Sequence, residues 1–453
     1  MDRTPLPITF RYHLVATLMR LMQAGESAAV VGVASVGKSN LVRCLQQADI
    51  QAAHLGPDKR EILIVLMDSN DLAAMTEWNF LELLLYRLSF HGQSANLPAE
   101  VVTRLEEWHE KVTRRPDDAL NAQRCLEQAL HWLCQVKGLR VVFLLDEFEL
   151  IYPQLSQRTW ANLRALRDKN KYSLSYLLFL RRDLEDMRPV TPEVEAFVEL
   201  FQTHILGLKP YDLPGTELML ERLSFRQRVE WPVQYTAQVF DLSGGHGGLI
   251  RVIFGKALPA LKEGRSPDWP TLFYDAEVKD ECGKIWSSLT SGERAWLVGL
   301  VETGKWETEP DNRVITDKLI RKGLIGVEPA QEPRLISTLF AAFVRQIAAQ
   351  DRPLFEFDAQ QQSCSIEGRE IHLPGLPAQL LDFLYQHRGQ NCRRLDLLRH
   401  LYPEEDHRQL GKIPDFRLDA VVKSLREKIE PDPQNPRYIK TVRGVGFRLD
   451  IDE

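Results

Sequence analysis

The stretch Gly32-Val33-Ala34-Ser35-Val36-Gly37-Lys38-Ser39 constrains the fold more than any other part of the chain. It sets two glycines, a lysine and a hydroxyl at the spacing of a phosphate-binding P-loop. The apolar run Ser27–Val31 before it reads as a buried strand, and Asn40–Gln47 after it has the apolar spacing of a helix. A strand, a glycine loop and a helix in that order predict an α/β core with an anion site at the helix N-terminus. Gly32 and Gly37 are expected at positive φ, which lets backbone N–H groups turn toward phosphate oxygens. Lys38 would reach the β- and γ-phosphates, Ser39 would hold Mg2+ through its hydroxyl, and Val36 and Asn40 complete the cofactor-binding set.

Along the chain, Phe10–Gln23 has helical spacing and leads into the first strand, with Arg11 and Tyr12 read either as nucleotide contacts or as packing and solvated groups. Glu61–Asp68 is a second apolar strand, continuous in the manner of parallel sheets, and helices are predicted over Asn79–Leu88, Glu100–Lys111 and Asp118–Lys137. Trp108 and Trp132 are assigned to the core. The strand Val141–Leu145 ends in Asp146-Glu147 about a hundred residues after the glycine loop. An acid delivered there can position Mg2+ (Asp146) while its neighbour orients or deprotonates an attacking water (Glu147). The strand Ser173–Leu180 ends in Arg181-Arg182-Asp183; Arg182 is the predicted γ-phosphate sensor, with two ordinary surface arginines as the alternative. Residues 204–262 are largely helical, and Gly244-Gly245-His246-Gly247-Gly248 opens the helix Leu249–Ala260. His246 is read as a phosphate sensor or, equally, as a helix cap.

From Ile8 to Leu261 these features resemble the STAND and archaeal-ATPase branches of the AAA-like P-loop ATPases. The shared marks are the P-loop, the apolar strand ending in Asp-Glu, a strand ending in Arg-Asp and a Gly-Gly-His turn in a helical lid. The family's proline in that turn is replaced by Gly247. The resemblance implies ATP as the nucleotide, with Asp146, Glu147 and Arg182 in catalysis.

Gly264–Pro270 reads as a linker. Beyond it, helices over Val278–Trp286, Thr290–Val301 and Asn312–Lys322, then a hairpin from 323–327 and 333–336, have the order of a winged helix. Without a dense basic run on its third helix, this region is expected to pack or to bind a protein partner. The last hundred residues change character. Strands over 354–357, 363–366 and 370–373 precede helices Pro377–Arg388, Arg393–Leu401 and Phe416–Ile429, and a glycine hairpin closes at Tyr438–Leu449. From Arg388 to Arg448 there are fourteen lysines and arginines against nine acids, although the whole chain carries a formal charge of −6. The runs Leu425-Arg426-Glu427-Lys428-Ile429-Glu430-Pro431-Asp432-Pro433 and Thr441-Val442-Arg443-Gly444-Val445-Gly446-Phe447-Arg448 resemble the OmpR/PhoB-type winged-helix DNA-binding domain. That resemblance implies a recognition helix in the major groove and a wing on the neighbouring backbone, with Arg417, Lys423, Arg426, Thr441 and Arg443 as contacts to double-stranded DNA.

The expected architecture is therefore multidomain, α/β plus α+β: a P-loop NTPase sheet (1–202), a helical lid (203–263) and two winged helices (271–350 and 353–453). Six scattered cysteines form no metal-ligand or disulfide pattern, no apolar run approaches the roughly 20 residues of a membrane span, and the N-terminus has no signal-like pattern. A cytoplasmic protein without membrane contact is expected. The leading functional expectation is an ATP-dependent transcription regulator, a slow ATPase whose nucleotide state alters conformation or homo-oligomerisation. The alternatives are an ATPase that assembles on DNA in replication or transposition, and a STAND-type defence switch that uses the winged helix for protein contacts.

Overall fold

In a computed structural model the described residues are 5–95, 97–304, 310–326, 334–350, 355–366, 369–403, 416–430, 432–434, 436–442 and 444–451. They divide into two compact units, 1–345 and 346–453.

The first unit is built on five parallel strands, β1 (Ala28–Val31), β2 (Ile62–Asp68), β3 (Arg140–Asp146), β4 (Leu174–Leu180) and β5 (Ile205–Gly207), in the order β2-β3-β4-β1-β5. The strands read as unbroken apolar runs because helices cover both faces. Period-two alternation then sorts their side chains into two cores. Val30, Ile64, Leu144 and Phe179 enter one, whereas Val31, Val65, Phe143 and Leu178 enter the other. The second core is closed by α4 (Glu77–Ser94), α5 (Ala99–Thr113), α6 (Ala119–His131), α7 (Gln157–Lys169) and α8 (Pro192–Gln202). The first is closed by α1 (Tyr12–Ala24), α2 (Lys38–Gln46) and α3 (Ala48–Leu55), together with the lid helices α9 (Leu213–Gln227), α10 (Thr236–Ser243) and α11 (Gly247–Lys262).

That first core does not stop at the predicted linker. Helices α12 (Ala276–Ser287), α13 (Ser291–Thr303), α14 (Pro310–Lys322) and α15 (Thr338–Gln350) follow it, and β6 (Ile325–Gly326) pairs antiparallel with β7 (Arg334–Leu335). Val278, Ile285, Leu297, Leu319 and Phe340 share one apolar cluster with the face of the sheet that α1 covers. The order of helices and hairpin is the one expected for 271–350, but residues 271–345 pack as part of the first unit. Composition marks a loop at 264–270; it carries no information about what the next helices bury themselves against.

The second unit has its own core. It comprises β8 (Phe355–Asp358), β9 (Ser363–Ile366) and β10 (Arg369–His372) in one antiparallel sheet, and helices α16 (Leu376–Gln386), α17 (Arg394–Leu401) and α18 (Phe416–Ile429). A second sheet joins β11 (Cys392–Arg393), β13 (Gly446–Leu449) and β12 (Ile439–Val442) in that order. Among the described residues no helix is long and apolar enough to cross a membrane.

The capping box at the start of α13 has a second use. Thr290 Oγ1 accepts from the Glu293 amide at 3.2 Å, and Glu293 Oε2 accepts from the Thr290 amide at 2.9 Å. The same carboxylate meets Lys322 Nζ at 2.6 and 2.8 Å, with both side chains fully buried. Replacing Lys322 by Met leaves that carboxylate buried without a counter-charge, an expected loss of about 3–5 kcal/mol. A fall in the urea midpoint of the first unit checks this, and the double variant Glu293→Gln/Lys322→Met is expected to lose less than Lys322→Met alone.

Candidate nucleotide site and winged-helix unit

The loop from Gly32 to Lys38 connects β1 to α2, which covers one face of the sheet, whereas α8, the helix after the neighbouring β4, covers the other. Ligands of open α/β sheets bind at such a reversal. Gly37 has φ 111°, as expected, whereas Gly32 is not in the left-handed region. Gly32 is needed for space instead: a Cβ there would lie 2.9 Å from both the Cβ and the carbonyl oxygen of Leu208. The second left-handed residue of the loop is Ser35, φ 55°. Val36 is buried and anchors the loop in the core.

A cavity of about 390 Å3 opens over the loop. It brings together Gly37, Lys38, Ser39 and Asn40 with Glu147 from the end of β3. Its walls carry six cationic side chains, Lys38, Arg43, Arg181, Arg222, Arg226 and Arg251, against the single carboxylate of Glu147. This charge excess at a helix N-terminus that no side chain caps fits a polyanionic phosphate group. Lys38 is buried and donates to the Gly32 carbonyl at 3.2 Å; burial pulls its ammonium pKa below the usual lysine range. Ser39 is exposed beside it, and Asp146, 6% exposed, lies at the end of β3 in register with Asp68. Ser39 and Asp146 carry oxygen donors of the kind that Mg2+ takes.

Arg182 is absent from this cavity. Its guanidinium donates to the carbonyls of Ser287 at 2.6 Å and Ser288 at 3.2 Å, while the preceding Arg181 meets Glu147 Oε2 at 2.5 Å and Glu149 Oε1 at 3.1 Å. Successive residues leaving a strand point to opposite sides, so the pair is split. His246 lies under the cavity, fully buried. Its Nδ1 accepts from the Leu249 amide at 3.3 Å and its Nε2–H donates to the Ala34 carbonyl at 2.7 Å, which makes it the N-cap of α11 and a tie to the loop. Burial pulls its pKa down to about 4, so the neutral tautomer holds both bonds.

Sequence reasoning passed over Tyr211 and the lid arginines. Arg11 is held between the Tyr211 ring (4.2 Å to its centroid), the Lys209 carbonyl (2.6 Å) and the Val36 carbonyl (3.1 Å). Asn40 donates to the Tyr211 hydroxyl at 3.0 Å. Tyr12 is half exposed and rests on His54. Met219, Arg222, Leu223 and Arg226 recur at helical spacing on one face of α9, a pattern visible in the sequence but attributable to a site only once the lid is folded over the loop.

In the second unit, α18 stands beside the β12–β13 hairpin. Lys423 is exposed, with its side chain 78% accessible and only a loose approach to Glu427 at 3.9 Å. Arg426 is occupied within the unit: it donates to the Ile439 carbonyl at 2.6 Å and to Thr441 Oγ1 at 2.8 Å. Arg417 lies over the Tyr402 ring at 4.1 Å. Arg443 is outside the described residues. The buried carboxylate of Glu430 fixes the hairpin to the end of α18 by accepting the amides of Arg437, Tyr438 and Ile439 at 2.5–3.0 Å.

Residues 368–449, spanning β10 to β13, match the family model for the C-terminal domain of transcriptional regulatory proteins. The second unit carries an OmpR/PhoB-type winged-helix domain. Its curated relatives include PetR of Rhodobacter capsulatus, 31% identical over 96 residues, and RpaA, a DNA-binding dual master transcriptional regulator of Synechocystis, 36% identical over 87 residues. These alignments cover 21% and 18% of this chain, and the chain spans only 40% and 33% of those proteins' lengths. For the rest of the chain the similar solved structures include a Walker-type ATPase of Pyrococcus abyssi (17% identity, 76% of this chain and 99% of that one, TM-score 0.47). The ORC2 protein of Aeropyrum pernix is another (16% identity, 77% and 97%, TM-score 0.43). At such scores these likenesses add nothing to the strand order and loop geometry, which define the P-loop ATPase-like fold of the first unit. A second winged helix at 271–350 is not established by them.

Burial also sets the behaviour of Asp146, whose pKa is pushed from its ordinary 3.8 to about 6 by desolvation, then by nearby Glu147 and Asp68 against the opposing Glu147 amide bond. Between those values the folded chain holds a proton that the unfolded chain releases, so this carboxyl stabilises below pH 3.8 and the contribution is lost as pH rises through about 6. Without nucleotide or metal, Asp146→Asn is expected to be more stable than the parent above that range by about 3 kcal/mol. The advantage should vanish toward acid, as followed by urea unfolding across the pH series.

Proposed function

We propose that this chain is a nucleotide-gated transcription regulator. A triphosphate nucleotide, ATP on the sequence resemblance, would be held with Mg2+ between the sheet and the lid. Its occupancy would change how the OmpR/PhoB-type domain is presented to double-stranded DNA, or how copies of the chain associate. The observation that carries this reading is the joining, in one chain, of a six-cation P-loop cavity to a transcriptional-regulator domain.

Roles follow from position. The amides of the loop and Lys38 bind phosphate, Ser39 and Asp146 hold the metal, and Glu147 orients water for slow hydrolysis. Bound nucleotide supplies the phosphoanhydride and the negative charge that these groups answer. His246 acts by fixing the lid to the loop. In the DNA-binding domain Lys423 is placed to meet phosphate or base edges, while Arg426 and Thr441 brace α18 against the hairpin; Arg417 and Arg443 complete the proposed DNA set. A cytoplasmic location and a protein partner at 271–350 accord with this role.

The test is fluorescence anisotropy of the full chain on DNA from its own upstream region, with ATP, ADP or no nucleotide. Parent protein is expected to change affinity with ATP, and Lys38→Ala to bind DNA without that response; equal affinity in every state would overturn the gating. Lys423→Ala is expected to weaken binding and to reduce the salt slope by about one charge. Arg426→Ala should instead lower the thermal stability of the second unit, because its bonds lie within it.

A further inference from the structure

Three consecutive residues after β4 are committed to three different parts of the first unit. Arg181 faces the cavity and is paired with Glu147 and Glu149. Arg182 donates to the carbonyls of Ser287 and Ser288 at the C-terminal end of α12. Those carbonyls have no partner within their own helix, and Arg294 shares the duty by donating to Trp286 and Ser287 at 2.9 and 3.2 Å. Asp183, buried, accepts from Arg321 Nη2 at 2.5 Å and lies 3.5 Å from Lys318 Nζ, which also holds Asp186 at 2.8 Å; both cations are on α14.

The body of α12 reaches the site as well. Glu281 is buried against the first turn of α11, where a Cβ on Gly248 would come within 1.7 Å of its Oε1. The Gly248 amide in turn donates to the Ser35 carbonyl in the phosphate loop at 3.0 Å. So α12 is held at mid-length by the lid turn and at its end by the residue next to Arg181. A polyanion entering the cavity draws Arg181 away from Glu147 and Glu149, because it competes for the same guanidinium. Any backbone shift at Arg181 is passed on to Arg182 and Asp183, whose side chains are bonded to the end of α12 and to α14.

We infer that Arg181–Asp183 is the coupling element through which nucleotide occupancy is read by α12 and α14, with Arg182 and Asp183 as positioning residues. This rests on the nucleotide-binding reading above and specifies its output. A population shift of this kind requires contacts that differ between states, and these are the contacts that would differ.

The test is amide hydrogen exchange of the full chain with and without a non-hydrolysable ATP analogue and Mg2+. The parent is expected to change exchange at the phosphate loop and also in the last turn of α12 and in α14. In Asp183→Asn and in Lys318→Met, the analogue should still protect the loop, while the response of α14 falls about fivefold or more. Arg182→Lys, which keeps the charge but not the forked donor, should lose the α12 response. Two results would overturn the coupling: loop protection in the parent with α12 and α14 unmoved, or variants that respond as the parent does. If Asp183→Asn does not fold, Lys318→Met decides alone. Absence of analogue binding and loop protection in the parent would instead remove the nucleotide reading and this inference with it.

Discussion

Backbone meets backbone at the turn Gly244–Gly248, and the arrangement of the first unit depends on that approach. A Cβ on Gly245 would sit 1.9 Å from the Tyr211 carbonyl, and one on Gly244 within 2.9 Å of the Ile336–Ser337 peptide. Both residues have positive φ. No other residue type satisfies the conformation and the space together. The turn therefore draws the phosphate loop, the segment before the lid, the strand pair β6–β7 and α12 to one point. His246, at its centre, supplies the only side chain, and that side chain is spent on two backbone bonds. The glycine that stands in place of the resembled family's proline, Gly247, lines the cavity with its backbone.

Around this hub the molecule concentrates buried charge. Lys38, Asp146, Asp183, Glu281, Glu293 and Lys322 are all buried, and each lies in the first unit at or beside the sheet's carboxyl edge or the helices docked to it. Charge taken from water destabilises unless it is paired, so such residues persist where they hold a specific geometry or await a ligand. Glu293 and Lys322 are the first kind, with every short contact made inside the protein. Lys38 and Asp146 are the second: burial shifts both toward neutrality, and phosphate and metal are the species that would restore their charges.

The two units differ in how they use arginine. At the P-loop cavity arginines gather from α2, α9 and α11 and from the residue that follows β4. In the winged helix, Arg426 donates to a carbonyl and Arg417 lies over a ring, whereas Lys423 and Lys428 of α18 are exposed. Basic residues at helical spacing thus carry opposite meanings in the two places. Only the partner groups, brought from distant parts of the chain, tell them apart.

Local order was legible in much of the chain. The strands of the parallel sheet, the glycine loop, the α13 capping box and the C-terminal hairpin are set by residues a few positions apart, whose periodicity and turn chemistry act before any tertiary contact forms. Helices α3, α7, α8 and α15 were not anticipated, although α8 carries Val194, Phe197, Val198 and Phe201 at helical spacing on its buried face. The candidate site divides the same way. Loop residues Gly37, Lys38 and Ser39 and the acids Asp146 and Glu147 are adjacent in sequence to the strand ends that position them. Which of Arg181 and Arg182 faces the cavity, that His246 caps a helix, and that 271–345 shares the ATPase core were decided by the tertiary structure. Each turns on which buried surface and which orphan carbonyl lie opposite a side chain, and those partners are about 100 residues or more away along the chain.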